Sequence, residues 1–156
     1  MKTASKPATL EQINAFMACR QFAIAGVSRN PQKTGNALFK EMLAKGYTTW
    51  AVNPQAGTIE GQKCYPNVES LPAETGALIV VTPPAETLQI VKEAIKKPIR
   101  HIWLQLGAEN PEAEMLCHEH NINCISKKCI FMFLDPVKGV HNFHRFFSKL
   151  FGTYPK

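Results

Sequence analysis

The chain has 156 residues, enough for one domain with a single hydrophobic core, and its apolar share of 45% is ordinary for a globular protein. Its net charge of +6 is spread along the sequence without basic runs interleaved with aromatics, so we expect anionic small ligands rather than nucleic acid. The 5 cysteines show no C-x-x-C spacing and no apolar run reaches the length of a membrane span, so we expect a reduced, cytoplasmic protein with no role at a membrane.

The first predicted elements lead to one buried strand. Residues 1–8 are predicted to be a flexible lead-in and residues 9–18 a short helix, because Thr9 and Gln12 have the spacing of a capping box. The unbroken apolar run Phe22–Ala25 predicts a central parallel strand that is covered on both faces.

Strands and helices alternate along the rest of the predicted core, residues 19–129. Residues 54–72 are predicted to be a loop, because they contain several glycines and prolines and few periodic apolar positions. The predicted strands are Phe22–Ala25, Thr48–Val52, Ala77–Val81, His101–Leu106 and Ile122–Ile125. The predicted helices cover about residues 36–45, 85–97 and 111–120, the last with Asn110 as N-cap and Pro111 at N1. This alternation predicts an α/β fold with a doubly wound parallel sheet of five strands, in the order 3-2-1-4-5.

Residues 130–156 form a predicted extension that is rich in phenylalanine. Val140, Phe143, Phe147 and Leu150 recur at helical spacing, which predicts a basic amphipathic helix. Its apolar face has three interpretations: packing on the home domain, contact with a second copy in a homodimer or with another partner, or, least favoured, binding to a membrane surface.

The segment between the first strand and the next helix is predicted to bind an anion. Gly26 ends the strand, and a helix follows, so free backbone N–H groups and the positive end of the helix dipole face the same point. Ser28 adds a hydroxyl donor, and Arg29 and Lys33 add positive charge on the same loop.

Four segments carry a family resemblance. Gly26-Val27-Ser28, Asn30-Pro31 and Lys33 resemble the G-x-S-x-x-P-x-[KR] turn of the small CoA-binding domain family, which is Rossmann-like and related to the CoA-binding domain of succinyl-CoA synthetase alpha subunits. The loop differs at Lys33-Thr34-Gly35, where many relatives have a second proline. The other matching segments, in register, are Val52-Asn53-Pro54, Val81-Thr82-Pro83 and Trp103-Leu104-Gln105-Leu106-Gly107, and Cys129 lies where the family often has a cysteine.

The resemblance implies that the chain binds CoA or an acyl-CoA at the carboxyl ends of its strands, without evident catalysis of its own. The main-chain N–H groups of Val27 and Ser28 would hold phosphate, Arg29 and Lys33 would neutralise it, and the remaining residues would supply polar contacts and apolar walls. The candidate binding residues are Gly26, Val27, Ser28, Arg29, Lys33, Asn53, Pro54, Thr82, Pro83, Gln105, Leu106 and Gly107.

Two other classes of function stay open from the sequence. An NAD(P)- or other nucleotide-dependent enzyme is disfavoured, because Ser28 replaces the second glycine of the dinucleotide fingerprint and Asn53 stands where its carboxylate should be. A ligand-sensing interaction protein would act through the C-terminal helix.

Sequence signals for a metal site and for catalysis are weak. Cys117, His118, His120 and Cys124 fit no standard zinc spacing, and His141 and His144 fit a helix surface, so we expect no metal site. We also expect no catalytic residues, because neither a nucleophile elbow nor a carboxylate pair occurs near the predicted crevice.

Overall fold

The computed structural model describes residues 6–134. The helices in that part of the chain are α1 (Leu10–Met17), α2 (Thr34–Ala44), α3 (Pro84–Ala94), α4 (Pro111–Glu119) and a short 3-10 helix, Ile130–Met132. The strands are β1 (Gln21–Ala25), β2 (Thr48–Val52), β3 (Thr58–Ile59), β4 (Gln62–Tyr65), β5 (Ala77–Val80), β6 (His101–Gln105) and β7 (Asn123–Lys128). Among the described residues these strands form one sheet in the order β3-β4-β2-β1-β5-β6-β7.

The sheet confirms the predicted α/β, doubly wound, Rossmann-like fold. Every strand pair between β4 and β7 is parallel, and only the β3–β4 pair within the described residues is antiparallel. Because parallel neighbours need crossovers, the helices are divided between the two faces of the sheet, as the alternation of elements predicted.

The predicted count of five strands and the order 3-2-1-4-5 are wrong. The third predicted strand, β5, pairs with β1 and not with β2. Its predicted place beside β2 belongs to β4, which pairs with β3 in a hairpin within the segment predicted to be a loop. The sequence did not predict this hairpin, because β4 is short and its first two residues, Gln62 and Lys63, are exposed and polar.

Both helix-start signals in the sequence are confirmed. The Thr9 main-chain N–H donates to Gln12 Oε1 at 2.9 Å, and the Gln12 N–H donates to Thr9 Oγ1 at 3.1 Å, completing a capping box at α1. Asn110 Oδ1 accepts from the Ala113 N–H at 3.0 Å, with Pro111 at N1 of α4.

The core has two halves, one on each face of the sheet. Phe22 and Ile24 of β1 belong to the half that includes α1 and α2, whereas Ala23 and Ala25 belong to the half that includes α3 and α4. Because both faces of the sheet are covered at β1, side chains that point to either face are buried, which explains the unbroken apolar run in this strand. No helix within residues 6–134 has both the length and the apolar character that crossing a bilayer would require.

The predicted C-terminal amphipathic helix lies outside the described residues. The homodimer prediction that depends on it, and the pair His141 and His144, therefore stay predictions. Of the clustered phenylalanines, Phe131 and Phe133 are described, and both pack partly buried against the core.

Replacing Phe16 by Ala is expected to destabilise the fold strongly. The Phe16 ring is fully buried, and its centroid lies 5.2 Å from that of Trp103 and 5.6 Å from that of Phe22. The free energy of unfolding in urea should fall by about 3–5 kcal/mol, because the truncation leaves a cavity between α1 and the sheet. Met115→Ala, at a side chain that is 53% exposed, is the control, and an equal loss in both variants would contradict the prediction.

Candidate functional site

The candidate site lies where the chain reverses its direction of travel across the sheet. From β1 the chain moves outward to β2 and β4, and it then crosses back to β5 on the other side of β1. The carboxyl ends of β1 and β5 are bound together, since the Val81 N–H donates to the Ala25 carbonyl at 2.9 Å. In doubly wound sheets the crevice at such a switch point is where ligands bind.

The N-terminus of α2 opens into this crevice without a side-chain cap. Lys33 occupies the N-cap position but makes no side-chain capping bond, and the first turn contains no acidic residue. Within residues 6–134, five main-chain N–H groups near this point have no hydrogen-bond acceptor, namely those of Val27, Ser28, Thr34, Gly35 and Asn36. Together with the helix dipole, these N–H groups favour an anion.

Two glycines allow the start of α2 to contact the backbone of the β1 loop. A Cβ on Gly35 would lie 2.6 Å from the Gly26 carbonyl oxygen and 2.9 Å from Val81 Cγ2, so no larger residue fits without displacing α2. Gly26 has φ +98°, and a Cβ there would lie 2.9 Å from Thr82 Cγ2. Close packing therefore requires both glycines, and the positive φ at Gly26 also favours glycine there.

The loop between Gly26 and α2 is held by its own side chains. The Asn30 N–H donates to Ser28 Oγ at 3.0 Å, and the Gln32 N–H donates to Asn30 Oδ1 at 2.9 Å. Because the Ser28 hydroxyl is the acceptor in the first of these bonds, its proton remains available to a ligand within the described part of the chain. Arg29 and Lys33 are exposed and form no ion pair with any described residue.

Asn53 fixes the loop from the end of β2. Its Nδ2 donates to the Val27 carbonyl at 2.8 Å, and its Oδ1 accepts from the Gln55 N–H at 2.8 Å. Both ends of the amide are thus used inside the protein. Asn53 and the exposed Pro54 beside it lie at the crevice, and the Asn53 contacts fit a residue that positions the loop.

A cleft of about 270 Å³ continues from the start of α2 toward β6. It brings together several predicted site residues from two strand ends, and its lining consists of Thr34, Val81, Thr82, Pro83, Gln105, Leu106, Gly107 and Ala108. The Leu106 side chain lies at the rim and is 62% exposed.

Two of the polar side chains that line this cleft, Thr82 and Gln105, have partners inside the protein. Thr87 donates to the Ala108 carbonyl at 2.8 Å, so the Thr82 hydroxyl, 3.3 Å from Thr87 Oγ1, acts as the donor between them. Gln105 is 4% exposed; its Oε1 accepts from the Ile130 N–H at 2.9 Å, and its Nε2 donates to Cys129 Sγ at 3.2 Å. Gln105 therefore holds the segment after β7, including Cys129, against the end of β6.

Sequence reasoning missed Thr34, Gly35, Asn36 and Glu60 as site residues. Helix α2 begins at Thr34, two residues earlier than predicted, so Thr34, Gly35 and Asn36 form its first turn. The Asn36 amide is fully buried, and its Nδ2 donates to the Ser28 carbonyl at 2.8 Å and to Glu60 Oε1 at 3.2 Å. Gly35 was visible in the sequence as a glycine close to the predicted start of the helix. Glu60 could not be found in this way, because it lies 24 positions from Asn36 along the chain and only the hairpin brings the two together.

Of the cysteines and histidines near α4, the cysteines are part of the packing, whereas His118 and His120 are exposed. Cys117 is buried in α4, and Cys124 of β7 packs against it. A hydrogen bond with Cys117, together with burial, raises the pKa of the Cys124 thiol. Among residues 6–134 no group of three His, Cys, Asp or Glu side chains is arranged to hold a metal ion.

A family model described as "CoA binding domain" matches residues 20–135. Among curated proteins, the alpha subunit of an ADP-forming acetate–CoA ligase II from Pyrococcus furiosus is 24% identical over 155 residues, covering 92% of this chain and 32% of the relative. An ADP-forming acetate–CoA ligase I from Archaeoglobus fulgidus is 32% identical over 77 residues, 49% of this chain and 11% of the relative. The chain thus spans a third or less of the length of these ligases.

Solved structures share the fold. A conserved hypothetical protein from Pyrococcus furiosus has a TM-score of 0.69 and 37% identity, covering 71% of this chain and 96% of that one. A hypothetical protein from Pyrococcus horikoshii has a TM-score of 0.75 and 26% identity, covering 82% and 93% respectively.

Replacing Gly35 by Ala is expected to displace α2 and lower stability. The added Cβ meets the Gly26 backbone, which cannot move without disturbing β1, so the free energy of unfolding should fall by about 1–3 kcal/mol. Gly57→Ala is the matched control, because nothing lies within 4 Å of a Cβ at that position. The comparison is made by urea denaturation, and equal stability of the two variants would contradict the packing argument.

Proposed function

The chain belongs to the CoA-binding domain family, and on that premise we propose that it binds coenzyme A or an acyl-CoA at the switch-point crevice. The observation that carries this proposal is the uncapped N-terminus of α2, with its unpaired main-chain N–H groups, beside the exposed Arg29 and Lys33. A diphosphate is the part of CoA that matches such an arrangement, because it brings several negatively charged oxygens to one point.

The residues at the crevice fit the phosphate part of CoA. The absence of side chains at Gly26 and Gly35 leaves the loop backbone and the first turn of α2 in contact, so their N–H groups converge on one position. Ser28 would donate its hydroxyl proton to a phosphate oxygen, while Arg29 and Lys33 would offset the charge.

The cleft beyond α2 fits the other half of the ligand. Its volume of about 270 Å³ and its mixed lining suit part of the pantetheine arm, which has amide groups and short apolar stretches. The exposed Leu106 would lose contact with water when such an arm lies along the rim. CoA supplies a thiol that carries acyl groups as thioesters, and this chain's contribution would be to bind and orient it.

We favour a binding module over an enzyme that acts alone. The side chains that line the described cleft include no titratable group, and Thr82 and Gln105 are committed to internal hydrogen bonds. The two ligases described above match this chain over only 32% and 11% of their own length, so most of each ligase lies outside the matched segment. Any acyl-transfer chemistry would then come from a partner that uses the CoA held here.

Other parts of the proposal concern setting and assembly. We propose a cytoplasmic location, in keeping with five cysteines that include no disulfide among the described residues.

We also propose a homodimer in which the amphipathic segment 138–156 supplies the contact. Removing that segment and measuring the mass in solution tests it: loss of a dimer while the fold is retained supports the contact, and a full-length monomer at all concentrations rules it out.

An NAD-dependent function is the second candidate, and the geometry of Asn53 argues against it. A dinucleotide site places a carboxylate at the end of the second strand, where it accepts from the ribose. Asn53 stands there with both amide atoms bonded to Val27 and Gln55. It is therefore poorly placed to hold a ribose.

CoA is expected to bind at least about tenfold more tightly than NAD or NADP, a difference of about 1.4 kcal/mol. All three compounds carry a diphosphate, so the difference rests on Asn53, which stands where a dinucleotide site has its carboxylate. Isothermal titration calorimetry of the purified chain with each compound measures it. Equal or tighter binding of NAD would overturn the proposal.

Replacing Lys33 by Ala is expected to weaken CoA binding several-fold at low ionic strength. Because the ammonium group is exposed, salt screens its attraction for phosphate, and the difference from wild type should shrink as salt is raised. Lys40→Ala, on the exposed side of the same helix, is the charge-matched control. A salt-independent loss, or an equal loss in the control, would place the phosphate elsewhere.

A further inference from the structure

Three polar side chains line the cleft beside α2, and they differ in what they already bind. Thr82 and Gln105 are buried and hydrogen-bonded inside the protein. The third, Thr34, is exposed, and within residues 6–134 its hydroxyl has no hydrogen-bond partner. Because a hydroxyl both donates and accepts, Thr34 can pair with either kind of polar group in a ligand.

The start of α2 does not use this hydroxyl. Threonine caps a helix from the N-cap position, but Lys33 occupies that position and Thr34 is the first helical residue. The main-chain N–H of Thr34 is one of the unpaired N–H groups at the helix N-terminus. The main chain of Thr34 therefore belongs to the proposed phosphate site, whereas its side chain belongs to the lining of the cleft.

This double position restricts the part of the ligand that Thr34 can contact. The N–H and the hydroxyl of one residue lie close together, so the ligand groups that contact them must be neighbours in the ligand. In CoA the diphosphate is followed by the pantoyl group, the first part of the pantetheine arm, in which a carbon with two methyl groups precedes a carbon with a hydroxyl. The methyl group and hydroxyl of Thr34 are the matching groups on the protein.

We propose that Thr34 is a specificity-determining residue whose hydroxyl pairs with the pantoyl hydroxyl of bound CoA. This inference rests on the proposed function and adds to it the group by which the chain recognises the arm. The pair joins the phosphate site to the cleft, so it also directs the arm from the start of α2 toward the ends of β5 and β6. Since Thr82 and Gln105 are already paired, the other polar side chains of the described cleft do not compete for this contact.

The test is a double-mutant cycle between the residue and the ligand. Dissociation constants of CoA and of a CoA analogue that lacks the pantoyl hydroxyl are measured by calorimetry for the wild-type chain and for Thr34→Val. Valine keeps the branched shape of threonine and removes the hydroxyl. We expect the wild-type chain to bind CoA about three- to tenfold more tightly than the analogue, the usual effect of one hydrogen bond between neutral groups. Thr34→Val should bind the two compounds equally.

Two further variants separate the hydroxyl from the shape of the helix start. Thr34→Ser keeps a hydroxyl and should keep the preference for CoA. Thr48→Val is the matched control and should also keep it, because Thr48 is exposed but lies at the amino end of β2, away from the crevice.

Two kinds of outcome overturn the inference while leaving CoA binding established. One is a wild-type chain that binds CoA and the analogue equally. The other is a preference for CoA that persists in Thr34→Val or disappears in Thr34→Ser. If the wild-type chain does not bind CoA, the proposed function fails, and this inference fails with it.

Discussion

The contact between the first turn of α2 and the backbone of the β1 loop is the constraint on which the candidate site depends. With the Gly26 carbonyl oxygen only 2.6 Å from where a Gly35 Cβ would lie, a side chain at position 35 would displace the helix from the loop. The contact brings unpaired N–H groups from the loop and from the helix to one place. The N-terminus of α2 has no side-chain cap, which leaves its unpaired N–H groups open to the crevice.

A second set of interactions makes the crevice stiff. Asn53 bonds the loop to the end of β2, Thr82 and Thr87 bond the end of β5 to Ala108, and Gln105 bonds the end of β6 to Ile130. Each bond joins a strand end to the segment that follows a neighbouring element. Buried polar side chains that are fully paired in this way specify one arrangement, because breaking any of them leaves an unsatisfied group. The polar residues near the crevice therefore act mainly by positioning, which leaves the unpaired main-chain N–H groups as the groups proposed to contact phosphate.

Sequence and structure agree on the elements that have strong local signals. The apolar run at β1, the capping box at Thr9 and the Asn110-Pro111 helix start all depend on neighbours along the chain, and each is found as predicted. The β3–β4 hairpin and the strand order failed for the opposite reason. Gln62 and Lys63 carry no apolar periodicity, because β4 pairs near the edge of the sheet and exposes them. Missing that strand moved β5 from its true place beside β1 to a false place beside β2.

The amino-acid sequence by itself determined the α/β class and the loop that carries Ser28, Arg29 and Lys33, because these follow from local composition and spacing, and four of its segments carried the resemblance to the family. Only the tertiary structure decided which side chains meet. It showed that Gly35 is required by the Gly26 backbone, that Gln105 is bonded to the segment after β7, and that Glu60 reaches Asn36 from a hairpin 24 residues away. Contacts of this kind depend on the order of the strands in the sheet and on where the helices begin. Neither of these can be predicted from a short segment of the sequence.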